Sequence, residues 1–194
     1  MKHFAKLAVL GAALVAAAPL ASATPIVGTI LYTSPVTVFT GNSTFTATMQ
    51  ETAFIDTSNA FAGCNNNCIT FELQVTDNTG DTIEHVTLGS FAGFLTNSGY
   101  IAVAGDVAPT SFGPNVNNGV TWNVLLGNGQ TSDILYVQTN GTGYKAGTAG
   151  AIDNSAGSAP AVVAATPEPS SLMLLGTGLV SAGSMLVRRR KITA

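Results

Sequence analysis

From Cys68 to Asp77 the chain reads CITFELQVTD, and apolar and polar side chains alternate without a break: Ile69, Phe71, Leu73 and Val75 against Thr70, Glu72, Gln74 and Thr76. Successive side chains of a strand point to opposite faces, so a period of two predicts a strand with one face buried and one in water, as in an antiparallel sheet. The stretch STFTATMQETAFID alternates in the same way, with Phe45, Ala47 and Met49 on one face. Glu51 then falls in the apolar phase and Phe54 outside it, which predicts a bulge or bend around Glu51. Shorter runs rich in β-branched and aromatic residues follow the same reading: IVGTILY (26–32), VTVF (36–39), TIEHVTL (82–88), YIAVAG (100–105), VTWNVLL (120–126) and DILYVQT (133–139). They are separated by DNTGD, NSG and NGTG, which are clusters of turn-forming residues. No stretch between them carries the 3.6-residue stripe of a helix. About eight strands at this spacing predict an all-β fold, an antiparallel β-sandwich of the jelly-roll or immunoglobulin-like kind.

Two stretches fall outside the alternation. DVAPTSFGPNVNNG (106–119), with two prolines and three asparagines, reads as a long loop, the usual place for a binding surface. NSAGSAPAVVAAT (154–166) is small and without periodicity and reads as a flexible linker. The folded body is therefore expected over 24–153.

Both ends are apolar and have to be set apart before composition means anything. The first 23 residues hold Lys2 and Lys6, an apolar run from Leu7 to Ala18, a break at Pro19, and the small pair Ala21 and Ala23. That is the pattern of a secretory signal peptide, a helix removed by signal peptidase at Ala23 to leave a mature start at Thr24. Between Thr24 and Thr166, nine acids stand against the single cation Lys145, a difference of −8. A body so acidic lacks the basic footprint that phosphate backbones require, so nucleic acid is excluded as a partner.

Cys64 and Cys68, spaced by three residues in FAGCNNNCITF, are the two cysteines of the chain. In an exported chain an even pair reads as a disulfide, here a local staple before the strand at Ile69, with free thiols the alternative. Zinc in a structural site takes four ligands and His85 is the one histidine after residue 3, so no metal and no cofactor is expected. Alternation places Ile83, His85 and Thr87 on one face of a strand and Glu84, Val86 and Leu88 on the other. A lone strand histidine without a nucleophile motif reads as structural, and no catalytic residue is expected. Asp77 and Asp81 flank Asn-Thr-Gly in what reads as a hairpin turn, which Asp, Asn and Gly favour; their spacing does not match a calcium loop of the EF-hand type. Trp122 shares its face with Val120 and Val124 and reads as a core residue rather than a sugar-stacking platform.

After Thr166 come Pro167, Glu168 and Pro169, an apolar run to Val187, and the cations Arg188, Arg189, Arg190 and Lys191. The run from Ser171 spans about 25 Å as a helix, short but sufficient for a bilayer, and the cations act as a stop-transfer cluster held in the cytoplasm. Proline, glutamate and proline ahead of a short apolar span and an arginine-rich end resemble the PEP-CTERM sorting domain, over residues 167–194. What the resemblance implies is recognition of Pro167, Glu168 and Pro169 by an exosortase, a membrane-embedded protease. It further implies transient anchoring by a transmembrane helix in the inner membrane and delivery to the cell surface or the extracellular matrix. The prolines hold Glu168 in an extended segment of the kind a protease binds. The body is similar, through APTSFG and YKAGTAGAIDN, to β-rich ectodomains that precede such tails, which implies association with exopolysaccharide.

The leading expectation is a non-enzymatic structural or adhesive surface protein. The alternatives are a carbohydrate-binding module, with or without calcium, and an extracellular hydrolase using paired carboxylates.

Overall fold

A computed structural model describes residues 28–165, apart from 43, 60, 62, 63, 65 and 66, together with residue 177. The signal helix, the signal peptidase site at Ala21, Ala23 and Thr24, the sorting motif, the transmembrane helix and the terminal cations lie outside the described residues. Among the described residues no helix is long and apolar enough to cross a membrane.

The described chain forms two antiparallel sheets. The strands are β1 (Gly28–Thr33), β2 (Thr37–Val38), β3 (Thr40–Asn42), β4 (Phe45–Asp56), β5 (Ile69–Gly80), β6 (Ile83–Gly89), β7 (Thr96–Ile101), β8 (Ser111–Pro114), β9 (Val120–Leu126), β10 (Ile134–Thr139), β11 (Gly143–Ile152) and β12 (Ala156–Ala165). One sheet runs β1-β4-β5-β10-β7, with β2 also on β4, and the other runs β3-β12-β11-β6-β9-β8. The alternation read from the sequence sets the inner faces: Ile69, Phe71, Leu73 and Val75 of β5 share one hydrophobic cluster with Val86 and Leu88 of β6 and Trp122 and Val124 of β9. Each such side chain contributes about 1.5–3 kcal/mol when fully buried. Trp122 is completely buried, and its indole Nε1–H donates to the Gly99 carbonyl of the opposite sheet at 2.9 Å.

Several expectations are corrected. The phase of β4 does not shift at Glu51: its inner face continues through Ala53, so the Glu51 side chain stays in the interior, 1% exposed. The slip in the β4–β5 ladder lies at Thr46/Ala47 instead. In β6, Ile83 is buried with Val86 and Leu88 while Glu84 is exposed, and the ladder with β9 slips between Ile83 and His85, which keeps the glutamate out of the core. DNTGD is no hairpin turn, because β5 pairs β4 and β10 while β6 belongs to the other sheet; the chain crosses between sheets there. The loop expected at 106–119 contains β8.

The largest correction concerns 154–166, expected as a linker. Ala156 to Ala165 is β12, paired with β11 along ten rungs from Ile152↔Ala156 to Gly143↔Ala165. Its inner side chains are Gly157, Ala159 and Ala161, which are small because large ones face them: a Cβ at Gly157 would lie 3.2 Å from the Phe39 Cβ and 3.4 Å from the Phe45 ring. Pro160 is tolerated because of where the strand's N–H groups point. The Val162 N–H, two residues on and therefore on the same edge, faces away from β11 and donates to the Glu51 carboxylate at 2.7 Å. β3 pairs this edge only at Ala156–Ser158, so the missing donor of Pro160 falls where no strand pairs it.

Candidate functional site

The outer face of the second sheet carries a shallow open groove of about 630 Å³. Its floor comes from β11 and β6, where Gly147, Gly150 and Gly89 leave the backbone uncovered. Side chains cannot be added cheaply: a Cβ at Gly150 would sit 2.6 Å from the Thr87 Oγ1, and one at Gly147 would sit 2.6 Å from the Val163 Cγ1. The rim is built from hydroxyls and amides, namely Thr87, Thr148, Ser158 and Asn117, with Lys145, the one cation of the body, at one end. Asn115 shapes the β8–β9 turn. Its Oδ1 accepts the N–H groups of Asn117 and Gly119 at 2.9 and 3.0 Å, and its Nδ2 donates to the Thr121 hydroxyl. The result is a wide, open surface without a deep pocket, more apolar than polar, with hydroxyls and amides along it and the Lys145 cation at one end.

His85 stands on this same outer face. Its Nδ1 is 2.7 Å from the Asn123 Oδ1, and the Asn123 Nδ2 donates to the Ser111 hydroxyl. The imidazole and the hydroxyl are bridged by an amide and not bonded to each other, so no base is placed to activate Ser111. Tyr100 is half-buried against Phe112, ring centroids 6.1 Å apart. Among the described residues no group of three or more His, Cys, Asp or Glu side chains is placed to hold a metal ion.

The carboxylates fall into three environments. Asp56 is fully buried at the end of β4; burial works to raise its pKa, but hydrogen bonds from Ser58, Gln138 and Thr70 outweigh it and hold the acid below its usual value. Glu72, half-buried on the outer face of the first sheet beside Tyr136, is pushed up to about 7 by burial, with the Asp56 charge adding to the effect. In the interior, burial pushes Glu51 up to about 8 against the Val162 hydrogen bond. Its Oε1 and both oxygens of Asp77 are buried without a partner. Asp77 is raised by burial and then by the charge of Asp153, while Asp153 itself is lowered, first by the hydrogen bond from the Ser155 side chain.

Of the residues expected to matter, Cys64 and Cys68 are bonded, with Cα atoms 5.0 Å apart. The Asp56 N–H reaches the Cys68 carbonyl at 3.0 Å, so the staple sits one rung beyond the β4–β5 ladder. Asp77 and Asp81, expected together in one turn, are separated: Asp77 points inward and Asp81 is exposed. Nothing in the sequence singled out the groove, because its floor is glycine and alanine and its rim is the ordinary outward phase of strands. Glu51 was visible as a charge in an apolar register, the one signal of a buried acid.

Residues 165–191 match the family described as the PEP-CTERM protein-sorting motif. No curated protein and no solved structure matches the chain. The motif implies an exported protein, sorted by an exosortase, with a cell-surface destination.

Proposed function

We propose that the exported body is a non-enzymatic adhesive or structural component of the cell surface or matrix that contacts exopolysaccharide through the groove of the second sheet. We read the two sheets around one core as a sandwich of the jelly-roll or immunoglobulin-like kind, in line with the non-consecutive neighbours β5–β10 and β11–β6. The observation that carries the reading is the groove: an extended polymer of hydroxyl groups is matched by an open surface on which hydroxyls and amides rim a floor of small apolar side chains and bare backbone. Signal peptidase and an exosortase are the processing partners, and the inner membrane holds the chain only transiently.

The test is retention of the protein on gels of matrix polysaccharide, with and without calcium, against Ala146→Glu, which places a carboxylate on the groove at an exposed position. Retention of the parent and loss in the variant is the expected result; equal retention, or none, rejects the groove. Mass spectrometry of the released protein is expected to find a chain from Thr24 to near Pro169, and recovery only of chains that still carry Arg188 to Lys191 contradicts the processing.

A hydrolase using carboxylates is the second reading, because Glu72 and Asp56 have pKa values displaced in opposite directions, the arrangement that separates an acid from a base. Against it, both oxygens of Asp56 are already occupied by donors from Ser58, Thr70 and Gln138. Release of reducing ends from a polysaccharide panel, abolished by Glu72→Gln, would establish it over the adhesive reading.

A further inference from the structure

The last rung of β12 fixes where the chain leaves the body. Ala165 pairs with Gly143, and Gly28, the first described residue, pairs with Asp56, one rung from the Cys68 carbonyl. The Ile69 N–H donates to the Gly141 carbonyl, so these segments share one end of the two sheets, here the exit pole. The loop before β7 belongs to it as well: Gly141 packs against the Phe94 ring and the Ala164 methyl, and the Leu95 N–H donates to Asn140. So does the β8–β9 turn, through the bond from the Phe91 N–H to the Asn118 carbonyl.

Of the exposed large apolar side chains, Ile30, Leu31, Leu95, Val116 and Tyr144 lie at this pole, while Val36, Val38, Phe112 and Leu125 lie elsewhere. Val116 at the tip of the β8–β9 turn is 97% exposed, Ile30 66%, Leu95 60% and Tyr144 40%, the last tilted 40° against the Tyr32 ring with centroids 5.7 Å apart. They serve no core, and exposed apolar patches of this kind mark contact surfaces. Asp56 belongs to this pole but is fully buried, and Glu72 lies between the poles beside Tyr136; Asp77, Asp81, Glu84, Asp106 and Asp153 lie toward the other pole. Asp153 is bound by Thr44, whose carbonyl accepts the Asp81 N–H; the Asp77 carbonyl accepts the Gly129 N–H; Asp106 is held by Gln74, and Glu84 is the second residue of β6. Among the described residues of the exit pole the exposed charged side chain is Lys145, next to Tyr144.

Six residues separate Ala165 from Leu172, where the apolar run is under way, and they reach at most about 25 Å even fully extended. We propose that the exit pole is a lipid-facing surface: while the sorting tail is inserted, Val116, Leu95, Ile30 and Tyr144 rest in the bilayer interface and the acidic pole points away. Tyrosine suits that boundary, with an apolar ring and a wet hydroxyl, and an acidic pole is repelled by anionic headgroups while Lys145 is drawn to them. The proposal rests on the reading that the tail enters a bilayer.

The test uses the full chain in phosphatidylcholine vesicles that carry a nitroxide quencher at headgroup depth. A fluorophore is placed at Val116→Cys or Leu95→Cys at the exit pole, or at Asn128→Cys in the turn after β9 at the acidic pole. Severalfold stronger quenching at Val116 and Leu95 than at Asn128 is expected. Protein that floats with the vesicles but quenches equally, or at none of the three, overturns the docking and leaves the tail reading standing. Protein that does not float with the vesicles overturns the tail reading and the docking with it. Val116 and Leu95 are both surface positions, so loss of signal at one through misfolding is exposed by the other.

Discussion

Raising the pH should unfasten the two sheets at Glu51. The side chain leaves β4 of one sheet, is 1% exposed, and accepts the Val162 N–H of β12 in the other, while its second oxygen has no partner. Ionising it inside the core means charging an oxygen that nothing solvates, and so burial lifts its pKa from 4.5 to about 8. The folded state therefore binds a proton that the unfolded chain has released. Stability is whole below pH 4.5, declines as the pH rises, and reaches its full loss above about 8. The loss is about 5 kcal/mol, against a total of about 5–15 kcal/mol for a domain. Urea titration at pH 5 and pH 9, followed by the fluorescence of the single tryptophan Trp122, should show the wild-type midpoint falling by about 2 M. Glu51→Gln keeps an oxygen for Val162 and removes the ionisation, so its midpoint should fall much less. Glu72, pushed to about 7, adds a smaller loss in both proteins because it is half-exposed to water, and the difference between them isolates Glu51. If wild type and Glu51→Gln lose stability in parallel between pH 5 and pH 9, the argument from burial is wrong.

At the acid end, Asp56 and Asp153 are held below their usual values, so the stability they contribute is present above pH 3.8 and lost as the pH falls further; Asp56→Ala, which strands the Ser58, Thr70 and Gln138 donors, should cost about 3 kcal/mol in urea unfolding at pH 6. Cys64→Ser with Cys68→Ser removes a very short covalent loop and should cost about 2 kcal/mol, leaving a cooperative unfolding transition. Gly80 has φ +110° and its Cβ would stand 2.3 Å from the Thr44 carbonyl oxygen, so Gly80→Ala should lower stability by about 2 kcal/mol or more in thermal unfolding.

The strands legible in the sequence were those whose two faces differ chemically. In β5 and β9 the inward residues are Ile, Phe, Leu, Val and Trp for most of each strand and the outward ones, Leu125 apart, carry hydroxyls, amides or charge, so the period of two stands out. In β11 and β12 both faces are small: Ala149, Ala151, Gly157 and Ala159 inward, Ala146, Thr148, Ala156 and Ser158 outward. Hydropathy cannot separate alanine from alanine. Those strands are fixed by their partners, because the bulk of Phe39 and Phe45 across the core leaves room for nothing larger than glycine at 157. β3 and β8 were lost for a simpler reason, being three and four residues long and containing glycine or proline. The groove was hidden with β11, whose small residues carry no period, and β12 was hidden in the same way, as the stretch read as a linker.

That hidden strand alters how the sorting motif is presented. A flexible linker would let the body drift tens of ångströms from the site of processing, whereas β12 keeps Ala165 in its ladder and the motif match begins at that same residue. A pull on the tail acts first on Ala165–Gly143 and Ala164–Tyr144 and must open rungs in turn before it reaches Val162, where Glu51 holds the strand from the other sheet. The carboxyl that sets the pH limit of the body thus also anchors the strand next to the motif. Below pH 8 the Glu51 carboxyl is protonated in the folded body, at a cost that grows as the pH rises above 4.5, and it holds β12 at Val162; Pro167, Glu168 and Pro169 follow within four residues of the ladder's end. The sorting motif therefore begins at the last rung of a folded strand, and unzipping that strand from its end meets the Glu51 bond at the fourth residue.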